Sequence, residues 1–303
     1  MRAKWVITIC MLSASLTLWA AGGNLQQQTD SLKTDSINVA AAHPDFVKVW
    51  LMTVTPGLEG TSTFGHAALR LQCESEQLDY CFSFAMETDN ISILKFIRGS
   101  SRGGFQTVTT DEFLSRYRQE RRGVSQIQLN LLPGEEQELW RLLDHEVEQG
   151  PRWDYNFIST SCTSMCIWAV KACLKDEHIV YHQLDPILSA TYAEVLHSMA
   201  TYVPWLEFLL NVRFFSQRHD VGDVDEKFSP GLLMSSWQKA TLVSDKGTGR
   251  PMTIGEPQTL FKADPSVVPH RPFLTPMKVL AALVLLLAGI VAYLYVRHQK
   301  RKH

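Results

Sequence analysis

Apolar residues fall along the chain in two long continuous runs, Trp5–Ala21 and Val279–Val296, with shorter periodic stretches between them. Phe46–Val54 is β-branched and aromatic and runs into Thr55-Pro56-Gly57, which predicts a strand stopped by a turn. Phe64–Leu71 and Leu78–Phe84 predict two more strands in a hairpin meander. Asp111–Arg122 carries Phe113, Leu114 and Tyr117 at helical spacing, and Val124–Leu131 alternates as a strand. Pro133 opens a helix with the stripe Leu139, Leu142, Leu143 and Val147, and Gly150 closes it. A further helix follows Ser159, Thr160 and Ser161, all good N-caps, and puts Cys162 on its first turn. Strands and helices in this order predict an α+β domain with an antiparallel sheet.

The continuous runs read as membrane signals. Residues 1–22 have a basic start (Arg2, Lys4), an apolar core and a small-residue exit, as a secretory signal peptide does, whether removed or kept as an anchor. Residues 23–44 are a polar spacer. The second run has 18 apolar residues without a charge, enough for one transmembrane helix, expected over 277–296. The tail 297–303 holds four fixed positive charges, so the positive-inside rule places it in the cytoplasm. Residues 45–260 then form an exported domain, and the Pro-rich 261–276 a stalk.

Composition narrows the function. Hydrophobic residues make up 45% and charged residues 20%, which excludes a disordered chain. Residues 23–296 carry 23 basic against 31 acidic residues, which argues against nucleic-acid binding. At a helix start, free N–H groups and the helix dipole favour a thiolate, so Cys162 is expected to have a lowered pKa and act as a nucleophile. Cys166 and Cys173 lie deeper on the same stripe and read as core. Cys73 and Cys81 flank Glu74–Asp79 on the two arms of the hairpin, where a cross-strand disulfide and two free thiols both fit. Among ten histidines, His66 is the best base: it starts a strand after a loop containing Gly57, Gly60 and Gly65. A structural histidine is the other reading.

One set of segments carries a resemblance: Val54-Thr-Pro-Gly57, Phe64-Gly-His66-Ala-Ala-Leu-Arg70, Lys95-Phe-Ile-Arg-Gly99, Tyr117 with Arg121, Gln128-Leu-Asn130-Leu, Tyr155-Asn156-Phe and Cys162-Thr163. It continues through Trp205-Leu-Glu-Phe208 and Phe228-Ser-Pro-Gly-Leu-Leu-Met234. In order and spacing these resemble the Lnb N-terminal periplasmic domain family, over about residues 45–260. Lnb is the lipoprotein N-acyltransferase of Bacteroides-type bacteria. The resemblance implies a circularly permuted papain-like domain, similar to lecithin:retinol acyltransferase; the family often carries several membrane helices after this domain, whereas the one long apolar run here predicts a single-pass protein of the bacterial inner membrane. It implies His66 as base, Cys162 as acyl-accepting nucleophile, Tyr155 near the oxyanion and Ser83 as the group orienting His66. Arg70 and Asn156 become candidate substrate-binding residues. The implied partners are a phospholipid acyl donor, the N-terminus of a diacylated lipoprotein and the inner membrane; no cofactor and no metal is expected.

Ser161, Ser164 and Ser83 stand where the family usually has other residues, which opens two alternatives: a membrane-tethered binding module without catalysis, or a thiol hydrolase or amidase. Cys162-x3-Cys166 with His178-x3-His182 approximates zinc-finger spacing, but both cysteines fall inside one apolar helix. Asp220, Asp223, Asp225 and Glu226 lack the spacing of a calcium loop. Arg118–Arg122 reads as a solvated helix end, with contact to lipid phosphate as the other reading, and Trp205–Phe215 as a short amphipathic stretch, core rather than membrane-lying.

Overall fold

The computed structural model describes residues 47–58, 60–86, 101–156, 159–182, 189–200, 202–213, 215–216, 219–267, 270 and 272–302. The signal peptide, the spacer and the Lys95–Gly99 segment lie outside the described residues. The strands are β1 (Val47–Val54), β2 (His66–Cys73), β3 (Leu78–Met86), β4 (Arg102–Thr109), β5 (Val124–Leu129), β6 (Trp153–Asp154), β7 (Glu177–Val180), β8 (Thr241–Ser244), β9 (Gly249–Pro251) and β10 (Thr253–Phe261). The helices are α1 (Thr110–Gln119), α2 (Pro133–Gln149), α3 (Cys162–Cys173), α4 (Tyr192–Ala200), α5 (Pro204–Arg213), α6 (Pro230–Trp237) and α7 (Pro276–Lys302).

Seven strands make one antiparallel sheet in the order β10-β5-β1-β2-β3-β4-β6, and β7-β8-β9 make a small second sheet. Side chains alternate across the large sheet. Val49, Leu51, Leu69, Leu71, Phe82, Ile127 and Leu129 face α2, α3 and α6 and build the main core with Trp140, Cys166 and Trp237. Met52, Val54, Ala68, Cys81 and Val124 face the other way, onto Phe113 and Tyr117 of α1. Each fully buried large side chain contributes about 1.5–3 kcal/mol. With both faces covered, β1 is buried at every position except Lys48.

Two expectations are corrected here. Cys73 and Cys81 are both free. In the hairpin register Cys73 pairs with Leu78 and Cys81 with Arg70, so the two sulfurs point to opposite faces of the sheet, and their side chains belong to different cores. At the end of the domain β10 pairs with β5 as an edge strand through Phe261. Pro257 is tolerated there since it falls at a register shift between Ile254 and Gln258. Beyond β10, Asp264 pairs with Arg121, and Leu274 accepts a hydrogen bond from the Trp205 indole at 2.9 Å. Finally, only part of the Trp205–Phe215 stretch is core: Leu206 and Leu210 are buried, whereas Trp205, Phe208, Val212 and Phe215 are exposed.

Helix α7 includes a stretch, Pro276–Arg301, long and apolar enough to cross a membrane, with mean hydropathy 2.7 and none of that apolar window buried against the domain.

Candidate functional site

Helix α3 begins at the expected place. The Ser161 side chain accepts from the Ser164 amide at 3.3 Å, and Ser164 Oγ accepts from the Ser161 amide at 2.8 Å, a reciprocal capping box. Ser164 Oγ also donates to the Ser159 carbonyl at 3.1 Å. Just upstream, Asn156 and Thr160 exchange backbone hydrogen bonds that close the loop leading into the helix. Asn156 therefore shapes the entry to α3. Cys162 follows on the first turn, half-buried.

The sulfur of Cys162 meets the large sheet at a particular point. Strands β2 and β3 pair only from Leu69 and Phe82 toward the hairpin turn, and beyond these residues β3 follows β4 instead. Next to this divergence the Ala67 amide lies within hydrogen-bonding reach of Cys162 Sγ, where it favours the thiolate together with Thr163, whose Oγ1 is 3.9 Å from the sulfur, and the Cys162 amide. Cys162 thus sits against the strand residue that follows His66. Burial nevertheless pushes the thiol above its ordinary value and outweighs these donors, which corrects the expected lowering. Cys166 and Cys173 are buried in the core and their thiols are pushed up, Cys173 to about 12.

His66 opens β2 opposite Val54. The preceding Gly65 has φ 81°, and a Cβ there would lie 2.8 Å from the Val54 carbonyl oxygen, so only glycine suits the turn into the strand. The imidazole is half-buried on the α1 side of the sheet, 6.2 Å from the Tyr117 ring and 6.4 Å from the Phe113 ring between centroids. Burial, reinforced by the Arg122 and Arg116 guanidinium groups, holds it down to about 4. His66 is therefore neutral at pH 7.

Arg122 is the residue the sequence reading missed. Instead of a solvated helix end, its guanidinium is buried, stacks 4.9 Å over Tyr117, donates from Nε to the Thr55 carbonyl at 2.8 Å and pairs with Glu120. Its Nη2 is buried and has no hydrogen-bond partner among the described residues. The only sequence signal was its place between a helix end and Gly123, where the chain turns back into β5. Tyr117 is pushed up to about 12 by burial, partly offset by Arg122, and it lies within the electrostatic reach of Cys162.

Tyr155 stacks on Phe84 at 6.0 Å, and its phenol, pushed up by burial, also lies within the electrostatic reach of Cys162. Two other expected site residues are not brought to the centre. Ser83 pairs with Gln106 on the β4 side and makes no hydrogen bond to His66. Arg70 is engaged structurally: it holds Asp79 through two hydrogen bonds of 2.7 and 2.6 Å, donates to Gln126 at 2.8 Å and stacks 5.0 Å from Trp50. Of the zinc-like set, His178 lies on β7 and His182 bonds Thr241 at 2.9 Å. Among the described residues no group of three or more His, Cys, Asp or Glu could hold a metal ion.

A cavity of about 530 Å³ opens beside Gly65. Its wall is mostly apolar, with Val54, Phe64, Met199, Tyr202, Pro230 and Val267, and Thr55 and Asp264 supply polar atoms. The size is that of a small-ligand site.

Comparison with known families gives one match: the model described as Lnb N-terminal periplasmic domain aligns with residues 33–195, more than half of the chain, including both His66 and Cys162. No curated protein and no solved structure matches the chain.

Proposed function

Since the chain belongs to the Lnb N-terminal periplasmic domain family, we propose that it is a membrane-anchored thiol acyltransferase that N-acylates bacterial lipoproteins. The observation carrying this reading is that Cys162, on the first turn of a capped helix, lies beside Ala67 of the strand that His66 opens. In this reading the fold is a permuted papain-like domain, with the histidine strand before the cysteine helix. Its body is periplasmic, α7 crosses the inner membrane once, and the basic tail is cytoplasmic.

The chemistry follows from two neutral groups. With His66 at about 4 and the thiol pushed up, no thiolate–imidazolium pair exists at rest, so His66 works as a general base when substrate arrives. It takes the Cys162 proton while sulfur attacks the ester carbonyl of a glycerolipid. The C–O bond breaks, and the departing lysolipid alkoxide takes that proton, leaving a thioester. The amine of a diacylated lipoprotein N-terminus then attacks the thioester and forms the amide. His66 takes the amine's proton and returns it to sulfur. The Ala67 N–H, the α3 amides and the Tyr155 hydroxyl are the donors available to a developing oxyanion. The cavity beside Gly65 offers an apolar slot for the acyl chain.

Two observations favour a second reading, a tethered binding module: burial raises the thiol, and Ser83 gives His66 no orienting hydrogen bond. One experiment separates the readings. Wild type and Cys162→Ser are incubated in membranes with phospholipid and a diacylated lipopeptide and analysed by mass spectrometry. An acyl adduct on Cys162 and an N-acylated peptide, both lost in the variant, support the transferase. Neither product from folded wild type leaves the binding module.

A further inference from the structure

Helix α5 has two apolar sides. Leu206 and Leu210 face inward onto Met86, Tyr192 and Leu196. At about 100° per residue, Trp205, Phe208, Leu209 and Val212 form a second stripe, rotated away from the first. Trp205 and Phe208 are each 43% exposed and Val212 58%, and Phe215 just past the helix is 64% exposed. No charged side chain interrupts the stripe; Glu207 turns aside to His197. A contiguous apolar face of this kind marks an interaction surface.

Its position identifies the occupant. The Trp205 indole N–H donates to the Leu274 carbonyl, two residues before α7 begins. Phe273, Leu274 and Met277 are exposed and prolong the same apolar surface onto the start of α7. Lys278, in the first turn of α7, folds its ammonium back to the Phe273 carbonyl at 3.0 Å and over the Phe273 ring at 4.5 Å, the posture of a cation reaching out of hydrocarbon. The polar layer on each side of a bilayer is roughly 5–8 Å thick. Residues 273–278 therefore lie at its depth once α7 spans, and Trp205 is bonded to them at that level. Tryptophan is the residue enriched in this layer.

We propose that α5 lies on the surface of the bilayer that α7 crosses, with Trp205, Phe208 and Val212 inserted among lipid headgroups and the first acyl carbons. This rests on α7 being a span. Tyr202, two residues before α5 begins, lines the cavity beside Gly65 and is half exposed, so the same contact holds that cavity's rim at the lipid surface.

The test uses the full-length protein in a Cys162→Ser background, with single cysteines introduced by Phe208→Cys, Val212→Cys, Leu286→Cys or Glu76→Cys. Each carries an environment-sensitive fluorophore and is reconstituted in phosphatidylcholine/phosphatidylglycerol vesicles with or without nitroxide-bearing lipid. Labels at 208 and 212 should be blue-shifted, strongly quenched by the nitroxide lipid and protected from aqueous iodide. The label at 286 within α7 should be quenched too, and that at 76, on the far turn of the β2–β3 hairpin, should respond only to iodide. If 286 is quenched while 208 and 212 follow 76, α5 faces water and the inference fails alone. Shielding of 208 and 212 from both quenchers means that protein covers the stripe, which also overturns it. Loss of quenching at 286 removes the span, and the inference with it.

Discussion

The Ala67 backbone amide lies within hydrogen-bonding reach of Cys162 Sγ, so the sulfur sits beside the peptide that links Ala67 to His66. The position of the thiol thus depends on the place where β2 and β3 part company, and not on the helix start alone.

Thiol reactivity should reflect that placement. Among the described residues Cys162 is the half-buried thiol, and Cys73, Cys81, Cys166 and Cys173 are buried. In native protein a maleimide should modify Cys162 first, with a rate that climbs about tenfold per pH unit through neutrality, because the thiol is pushed above its ordinary value. The other four should react only after denaturation. Mapping by mass spectrometry without reductant checks both points, and a Cys73–Cys81 linked peptide would contradict the hairpin register.

The folded protein should lose stability in acid partly through His66. An unfolded histidine takes its proton near 6.5, the folded one near 4, so between these values the unfolded chain binds more protons. Stability is therefore intact above about pH 6.5 and falls as pH drops toward 4, by roughly 2 kcal/mol for this half-buried ring. Urea melts across that range should show the decline, and His66→Gln should flatten it. For the proposed transferase, the acid limb of kcat/KM should lie well below pH 6, since His66 stays neutral there.

Ser161→Ala removes the N-cap oxygen, while Ser161→Asn keeps one. The alanine variant should lose about 1 kcal/mol, a melting shift of roughly 2–4 °C for a domain of this size, and the asparagine variant should be close to wild type. Thermal denaturation followed by circular dichroism measures the difference.

Arg70→Met should separate a structural from a binding role. It leaves Asp79, which also accepts from Thr110 at 2.5 Å, without its cation in a partly buried site. A loss of about 2 kcal/mol is expected, with Cys162 labelling by maleimide unchanged in the folded fraction. A fall in labelling without a fall in stability would place Arg70 at the site after all.

Much of this was legible in the sequence, for reasons that differ by element. Strands β1, β2, β3 and β5 and helices α1, α2 and α3 announce themselves through period and caps, and their ends lie within a few residues of expectation. Strand β4 does not, because Gly103 and Gly104 break its alternation. Gly103 is required by packing, since a Cβ there would come within 2.8 Å of the Phe84 ring. Strand β10 is hidden by the glycine and proline that an edge strand tolerates. At the site, Cys162 is visible from its cap, whereas the surroundings of His66 come from α1, packed on the same face of the sheet but some fifty residues away. Arg122 reads as surface and Arg70 as a substrate contact because a charge can be placed only once its partner is known, and Asp79 and Thr55 become partners only through pairing in the sheet.

The ties of Asp264 to Arg121 and of Leu274 to Trp205 leave little free chain between the domain and α7. A head on a long leash samples a hemisphere and reaches targets at many heights. Clasped at both points, the proposed transferase would work at a single altitude above the bilayer, and its substrates would have to drift to it sideways. Selection would then depend on how far a reacting group stands from the bilayer, so a client with a longer or shorter linker could be refused without any change in the chemistry of its end.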